Sequence, residues 1–153
     1  MGQISDIMTR DVVTISQSDK VIKAVKIMTK KRIGGLVVLN NRKPVGIVTE
    51  SDLVRKVLSK NINPGKINVS DILTRRLISI KPNSTFYNAT KLMVKNKIRR
   101  LPVIRDGELI GIVTAVDLVK QCANYTKEAN LKDIVNYWFK KEETREKFES
   151  NTR

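Results

Sequence analysis

Apolar residues along this chain alternate between two spacings. Short β-branched runs predict strands, and three- and four-residue spacings predict helices. Val12-Val13-Thr14-Ile15 is the first such run and reads as a brief strand. Val21, Ala24, Val25 and Met28 then share one helical face, with Lys20, Lys23, Lys26 and Lys30 largely off it and Ser18 or Asp19 as the expected N-cap. Leu36-Val37-Val38-Leu39 and Val45-Gly46-Ile47-Val48 flank the turn Asn40-Asn41-Arg42-Lys43, which predicts a hairpin. A second helix begins after Thr49 and carries Leu53, Val54 and Val57.

The whole series returns 65 residues later without a gap. Residues 4–55 and 69–120 share 20 identities in 52 positions, including Asp6/Asp71, Thr9/Thr74, Met28/Met93, Thr49/Thr114 and Asp52/Asp117. The second copy has a strand at Leu77-Ile78-Ser79-Ile80 and a helix with Phe86, Ala89 and Met93 behind Ser84 or Thr85. Its hairpin turns at Arg105-Asp106-Gly107-Glu108, where Asp-Gly is a strong local signal, and its last helix carries Leu118, Val119 and Cys122. A copy of roughly 50 residues buries too little surface to stand alone, so the two must share a core. The fold class expected is α/β (α+β): two β-α-β-β-α repeats in a pseudo-twofold arrangement, plus a C-terminal helix. The repeats span 2–60 and 69–124, joined by the Asn-, Pro- and Gly-bearing linker 61–68. In the tail 125–153, Leu131, Ile134, Tyr137 and Trp138 form an apolar stripe, predicting an amphipathic helix over 127–150.

Charge adds a second theme. Thirty Lys+Arg against 15 Asp+Glu give +15, and there is no histidine. The tail from Lys127 carries only +1, so +14 belongs to the repeats. Such a field attracts nucleotides, nucleic acid or an acidic protein without choosing between them. The lysines of the first helix read mainly as a solvated face. Without histidine, and without a cysteine, serine or metal-ligand signature, an enzyme is the least favoured class. Single Cys122, on an apolar face, reads as core packing. No apolar run approaches a membrane span or a secretory signal, and the expected location is the cytoplasm.

The polar feature a core does not demand is Thr-x-x-Asp. Thr49-Glu50-Ser51-Asp52 and Thr114-Ala115-Val116-Asp117 each stand where a strand ends and a helix begins. Free amides there favour an anion, Thr can donate to a phosphate oxygen, and Asp can accept from a ribose diol. Gly46 and Gly111 leave room for a flat ring to approach the backbone. A purely structural reading has equal standing on one copy: Thr as N-cap, Asp in the first helical turn.

The Gly-Ile-Val-Thr-x-x-Asp-Leu-Val run, the hairpin before it and the Asp-Ile-Met/Leu-Thr-Arg opening together resemble the cystathionine β-synthase (CBS) domain, and two in tandem resemble a Bateman module. The resemblance covers residues 2–124. It implies a regulatory module that binds AMP, ADP, ATP or S-adenosylmethionine in clefts between the copies, signals by conformational change, and forms a homodimer. It implies that Asp52 and Asp117 hold ribose hydroxyls, that Thr49 and Thr114 contact phosphate or ribose, and that Ser51 adds a hydroxyl. Ile15 and Ile80, with Ile33 and Leu36, or Ile98, Leu101 and Pro102, would sandwich the adenine.

The copies differ before the second strand: Gly34-Gly35 against Arg99-Arg100. Guanidinium forks suit phosphate, so copy two is the better candidate for a phosphorylated nucleotide. Copy one either takes a less anionic ligand, shares those arginines across the cleft, or stays empty. The alternative function is nucleic-acid binding through the basic surface, against which stand 5% aromatic residues and no basic–aromatic stacking pattern.

Overall fold

The computed structural model describes residues 2–125. It separates at Ala115/Val116 into a body and the remainder of the last helix. The predicted tail helix, with Leu131, Ile134, Tyr137 and Trp138, lies outside the described residues.

Copy one begins with a one-turn helix, α1 (Ile4–Ile7), whose Asp6 carboxylate accepts from the Gln3 amide at 2.7 Å. The strand β1 (Thr14–Ser16) pairs in parallel with β2 (Gly35–Asn40), which pairs antiparallel with β3 (Lys43–Thr49). Between them α2 (Val21–Lys31) buries Val21, Ala24 and Met28 and leaves Lys20, Lys23, Lys26 and Lys30 exposed. Its N-cap is Lys20 with no side-chain cap bond, not Ser18 or Asp19. Asp19 instead turns back to accept from the Ser16 amide and from Lys23, both at 3.1 Å. The hairpin turn holds Asn41 and Arg42 at φ 47 and 67, the left-handed pair that a two-residue loop requires. The helix α3 (Glu50–Lys56) follows directly.

Copy two repeats this with α4 (Phe86–Asn96), capped by Thr85 as expected, then β4 (Arg100–Arg105), β5 (Glu108–Thr114) and α5 (Ala115–Tyr125). Thr85 Oγ1 accepts from the Asn88 amide at 3.2 Å. The strand expected over Leu77–Ile80 shrinks to one parallel bridge, Ile80 to Val103, at the position where Ile15 pairs with Val38 in copy one. The linker is pinned: Asn68 bridges Lys20, and the Pro64 and Ile67 carbonyls accept from the amides of Ile22 and Val21.

What joins the copies is an exchange of opening segments. Thr74 and Ile47 trade two backbone hydrogen bonds, at 2.9 and 3.1 Å, and Thr9 and Ile112 trade two at 2.9 Å. Val69, Ile72 and Leu73 of copy two thereby complete a core built from Ile15, Val21, Ala24, Met28, Leu36, Val38, Val48 and Val57 of copy one. Ile4 and Met8, on the reciprocal segment, are buried too. Gly46 and Gly111 make this contact possible. A Cβ on Gly46 would collide with the Thr74 carbonyl oxygen and Leu73, and one on Gly111 would come within 2.6 Å of Met8 Sδ. Their missing side chains serve chain-on-chain packing, so the flat-ring reading of these glycines is replaced. No described helix is long and apolar enough to cross a membrane.

Gly46→Ala forces a methyl against backbone and is expected to cost about 1–3 kcal/mol. Gly111→Ala, whose nearest obstacle is a flexible thioether, should cost less. Urea denaturation at constant m-value measures both; a Gly46→Ala midpoint equal to that of the unchanged protein would contradict the close approach.

Candidate functional site

At the end of β3 the chain turns into α3 through a reciprocal cap. The Thr49 hydroxyl accepts from the Asp52 amide at 3.4 Å, and Asp52 Oδ2 accepts from the Thr49 amide at 2.9 Å and its hydroxyl at 3.2 Å. Asp52 is only 7% exposed, the one buried charged residue among those described. Its other oxygen, Oδ1, pairs with Lys56 Nζ at 2.9 Å and accepts from the Thr74 hydroxyl at 3.2 Å. Lys56 also donates to the Ile72 carbonyl at 2.8 Å. A carboxylate offers about four acceptor sites, and all are engaged here. The structural reading of Thr49 and Asp52 is thus fully realised, and Thr74 ties the other copy into it.

Around this cap lies a cleft of about 370 Å³, within the range of small-ligand sites. Ile47, Ile78 and Ile98 supply its apolar wall, and Thr49, Ser51 and Thr74 supply hydroxyls. Six cations line it, Arg55, Lys56, Arg76, Lys97, Arg99 and Arg100, against two carboxylates, Glu50 and Asp52. Among the described residues only Lys56 of the six is in an ion pair. The Arg100 guanidinium is half-buried. Desolvation lowers its pKa from the ordinary value, Arg99 beside it lowers it further, and Glu50 pulls it back up. The Arg100 charge is thus held beside a like charge and partly out of water, at an electrostatic cost.

Of the residues named from sequence, Thr49, Ser51, Asp52, Ile98, Arg99 and Arg100 meet in this cleft. The arginines of copy two therefore stand over the Thr/Asp cap of copy one, the sharing arrangement among the options left open for copy one. Ile15, Leu36, Ile80, Leu101 and Pro102 do not line it; they are buried in the core. Each sits on or beside a strand whose inward face packs against helix, which leaves no surface for a ring. Ile33 packs partly buried against the copy-one core. Thr114 ends β5 and Asp117 lies in the first turn of α5, and neither lines this cleft. Sequence reasoning missed Arg55, Lys56, Thr74, Arg76, Ile47, Ile78 and Lys97. Thr74 carried a signal, since it is one of the repeat identities, but its approach to Asp52 depends on the segment exchange. No group of three or more His, Cys, Asp or Glu that could hold a metal occurs among the described residues.

Comparison with known proteins gives the family. The CBS-domain model matches residues 4–59 and 69–124. The chain belongs to the CBS-domain family, as a tandem pair. It is 38% identical to uncharacterized protein MK0525 of Methanopyrus kandleri over 119 residues, which is 76% of this chain and 61% of that one. The chain thus spans less than two thirds of that relative. A putative signal-transduction protein with CBS domains from Burkholderia ambifaria superposes with TM-score 0.76 at 31% identity, over 79% of this chain and 93% of that one. The CBS domain pair of protein MJ0100, solved in complex with 5′-methylthioadenosine and S-adenosyl-L-methionine, superposes with TM-score 0.74 at 27% identity, over 81% of this chain and 98% of that one. CBS-domain pairs generally act as regulatory ligand-binding modules.

Asp52→Ala removes a cap and takes the acceptor from four donors, the Thr49 amide and hydroxyl, Lys56 Nζ and the Thr74 hydroxyl, so it is expected to cost about 1–3 kcal/mol. Thr74→Val should cost about 0.5–1.5 kcal/mol alone and close to nothing in the Asp52→Ala background. A double-mutant cycle in urea measures the coupling; equal costs in both backgrounds would contradict it.

Proposed function

We propose that this CBS pair is a regulatory module that binds an adenosine-containing ligand bearing phosphate, AMP, ADP or ATP, in the cleft between β3–α3 and Arg99-Arg100. The observation that supports this most is the charge of the cleft: six cations and two carboxylates around an apolar wall of three isoleucines. The isoleucines suit a purine face, the arginine forks suit phosphate oxygens, and Thr49 and Ser51 suit ribose or phosphate. Asp52 takes the ribose diol by exchanging Lys56 and Thr74 for ligand hydroxyls. S-adenosylmethionine carries a sulfonium cation and suits this cleft less well. In copy two, Thr114 and Asp117 occupy the repeat positions of Thr49 and Asp52 and are assigned the equivalent contacts. Binding orders the cleft and shifts an equilibrium that a partner reads.

The partner includes a second copy of the chain. Val54 on α3 and Leu58 in the turn after it are 55% and 69% exposed, apolar surface suited to a homodimer. The nucleic-acid reading rests on net charge alone.

Melting curves at low salt test the nucleotide reading. ATP at a hundred times its dissociation constant is expected to stabilise the protein by about 2.7 kcal/mol. The gain should shrink with added salt, fall from ATP to AMP to S-adenosylmethionine, and be reduced by Arg99→Met, which removes a cation of the cleft. No shift with any adenosyl compound at low salt would refute the reading. For the dimer, light scattering should give twice the chain mass, and Val54→Glu with Leu58→Glu should halve it; a monomeric parent would refute that part.

A further inference from the structure

Gly34 and Gly35 have no backbone reason to be glycine. Among the described glycines only Gly107 has φ in the left-handed region, so any L residue fits the backbone conformation of the other two. Gly35 also opens β2, opposite Thr49 in the ladder, where a β-branched side chain would ordinarily be favoured. What fills the space above them is Arg100, joined at Gly34 by Glu50, whose Oε1 would lie 3.2 Å from a Cβ there. A Cβ on Gly34 would lie 2.5 Å from Arg100 Nη2. One on Gly35 would lie 3.0 Å from its Cδ, 3.1 Å from Nε and 3.3 Å from Cζ. The arginine is laid along the backbone of the other copy over its last four heavy-atom positions, and Gly35 is buried beneath it.

We infer that Gly34-Gly35 is a slot that positions the Arg100 guanidinium in the cleft, and that these two glycines set the specificity of the site for polyanionic over uncharged ligands. The two ends of the broken repeat symmetry are then one device. Arg100 can lie over copy one only because the equivalent positions there carry no side chain. Without the slot a long flexible side chain loses its fixed direction, and an arginine must lose rotamer freedom on binding phosphate. Held flat, it has lost that freedom beforehand. Gly35 lies beneath the arginine and Gly34 lines the cleft beside it; both are positioning residues acting through Arg100.

The inference rests on the anion-binding reading of the cleft, and the test separates the two. ATP, adenosine and inorganic tripolyphosphate are titrated calorimetrically into the unchanged protein, Arg100→Met, Gly34→Ala, Gly35→Val and Gly35→Val/Arg100→Met. Arg100→Met and Gly35→Val are each expected to weaken ATP and tripolyphosphate about tenfold or more, the size of one charge-assisted interaction. Adenosine should change by less than about twofold. Gly35→Val should add nothing to Arg100→Met, and the milder Gly34→Ala should shift binding in the same direction. Equal loss for adenosine and ATP, or additive losses in the double variant, would overturn the slot, because each marks general damage to the fold. If tripolyphosphate binds and no adenosine compound does, the nucleotide reading falls and the slot stands. If the unchanged protein binds none of the three, both fall.

Discussion

Four backbone hydrogen bonds carry the architecture: the reciprocal pairs between Thr74 and Ile47 and between Thr9 and Ile112. Each places the opening segment of one copy against the hairpin of the other, and each needs a glycine, Gly46 or Gly111, to let the backbones approach. Each pair satisfies both backbone groups of its two residues, and the register that does so is the one in which a glycine stands beside the contact. The hydrophobic consequence is larger than the hydrogen bonds themselves. Val69, Ile72 and Leu73 enter the core of copy one, so neither copy is complete without a segment of its neighbour.

The site follows from that exchange. Carrying Ile72 and Thr74 across brings a hydroxyl onto Asp52 and a carbonyl onto Lys56, locking the start and end of α3 to the other copy. The same juxtaposition lays Arg100 over Gly34 and Gly35 and collects positive charge from both copies around one cap. Asp52 is already saturated by protein donors, so a diol must displace Lys56 and Thr74 to reach it. Those are the groups that fasten copy two's opening segment. Under the proposed nucleotide reading, a diol that orders the cleft at Asp52 would do so in exchange for these two contacts of the seam, which couples the site to the packing of the copies.

Much of the fold was legible in the sequence because its signals are local. Helical spacing gave α2 and α4; the polar break Asn40–Lys43 between apolar runs gave the first hairpin, and Asp106-Gly107, whose left-handed backbone has a residue signature, gave the second. The repeat implied a shared core. Less legible were features set by tertiary contact. Leu77–Ile80 has the composition of a strand but makes one bridge. Ser18 and Asp19 look like N-caps, but Asp19 is engaged by Ser16 and Lys23. Leu36, Leu101 and Pro102 cannot be told from cleft-lining residues by type, because a purine and a hydrophobic core are matched by the same side chains. Arg99-Arg100 and Gly34-Gly35 were visible as a difference between copies, but not that one lies upon the other. Arg55, Lys56, Arg76 and Lys97 had no motif to mark them in so basic a chain.

The claim that orders all of this is that one cleft is assembled from both copies and is matched to a phosphorylated nucleotide. The most direct measurement is a crystal structure of the protein soaked with ATP. Phosphate density within hydrogen-bond distance of Arg99 and Arg100, with the purine against Ile47, Ile78 and Ile98 and the ribose at Thr49 and Asp52, is the result expected. Nucleotide bound with its phosphates away from both guanidinium groups, or an empty cleft at saturating ATP, would contradict it.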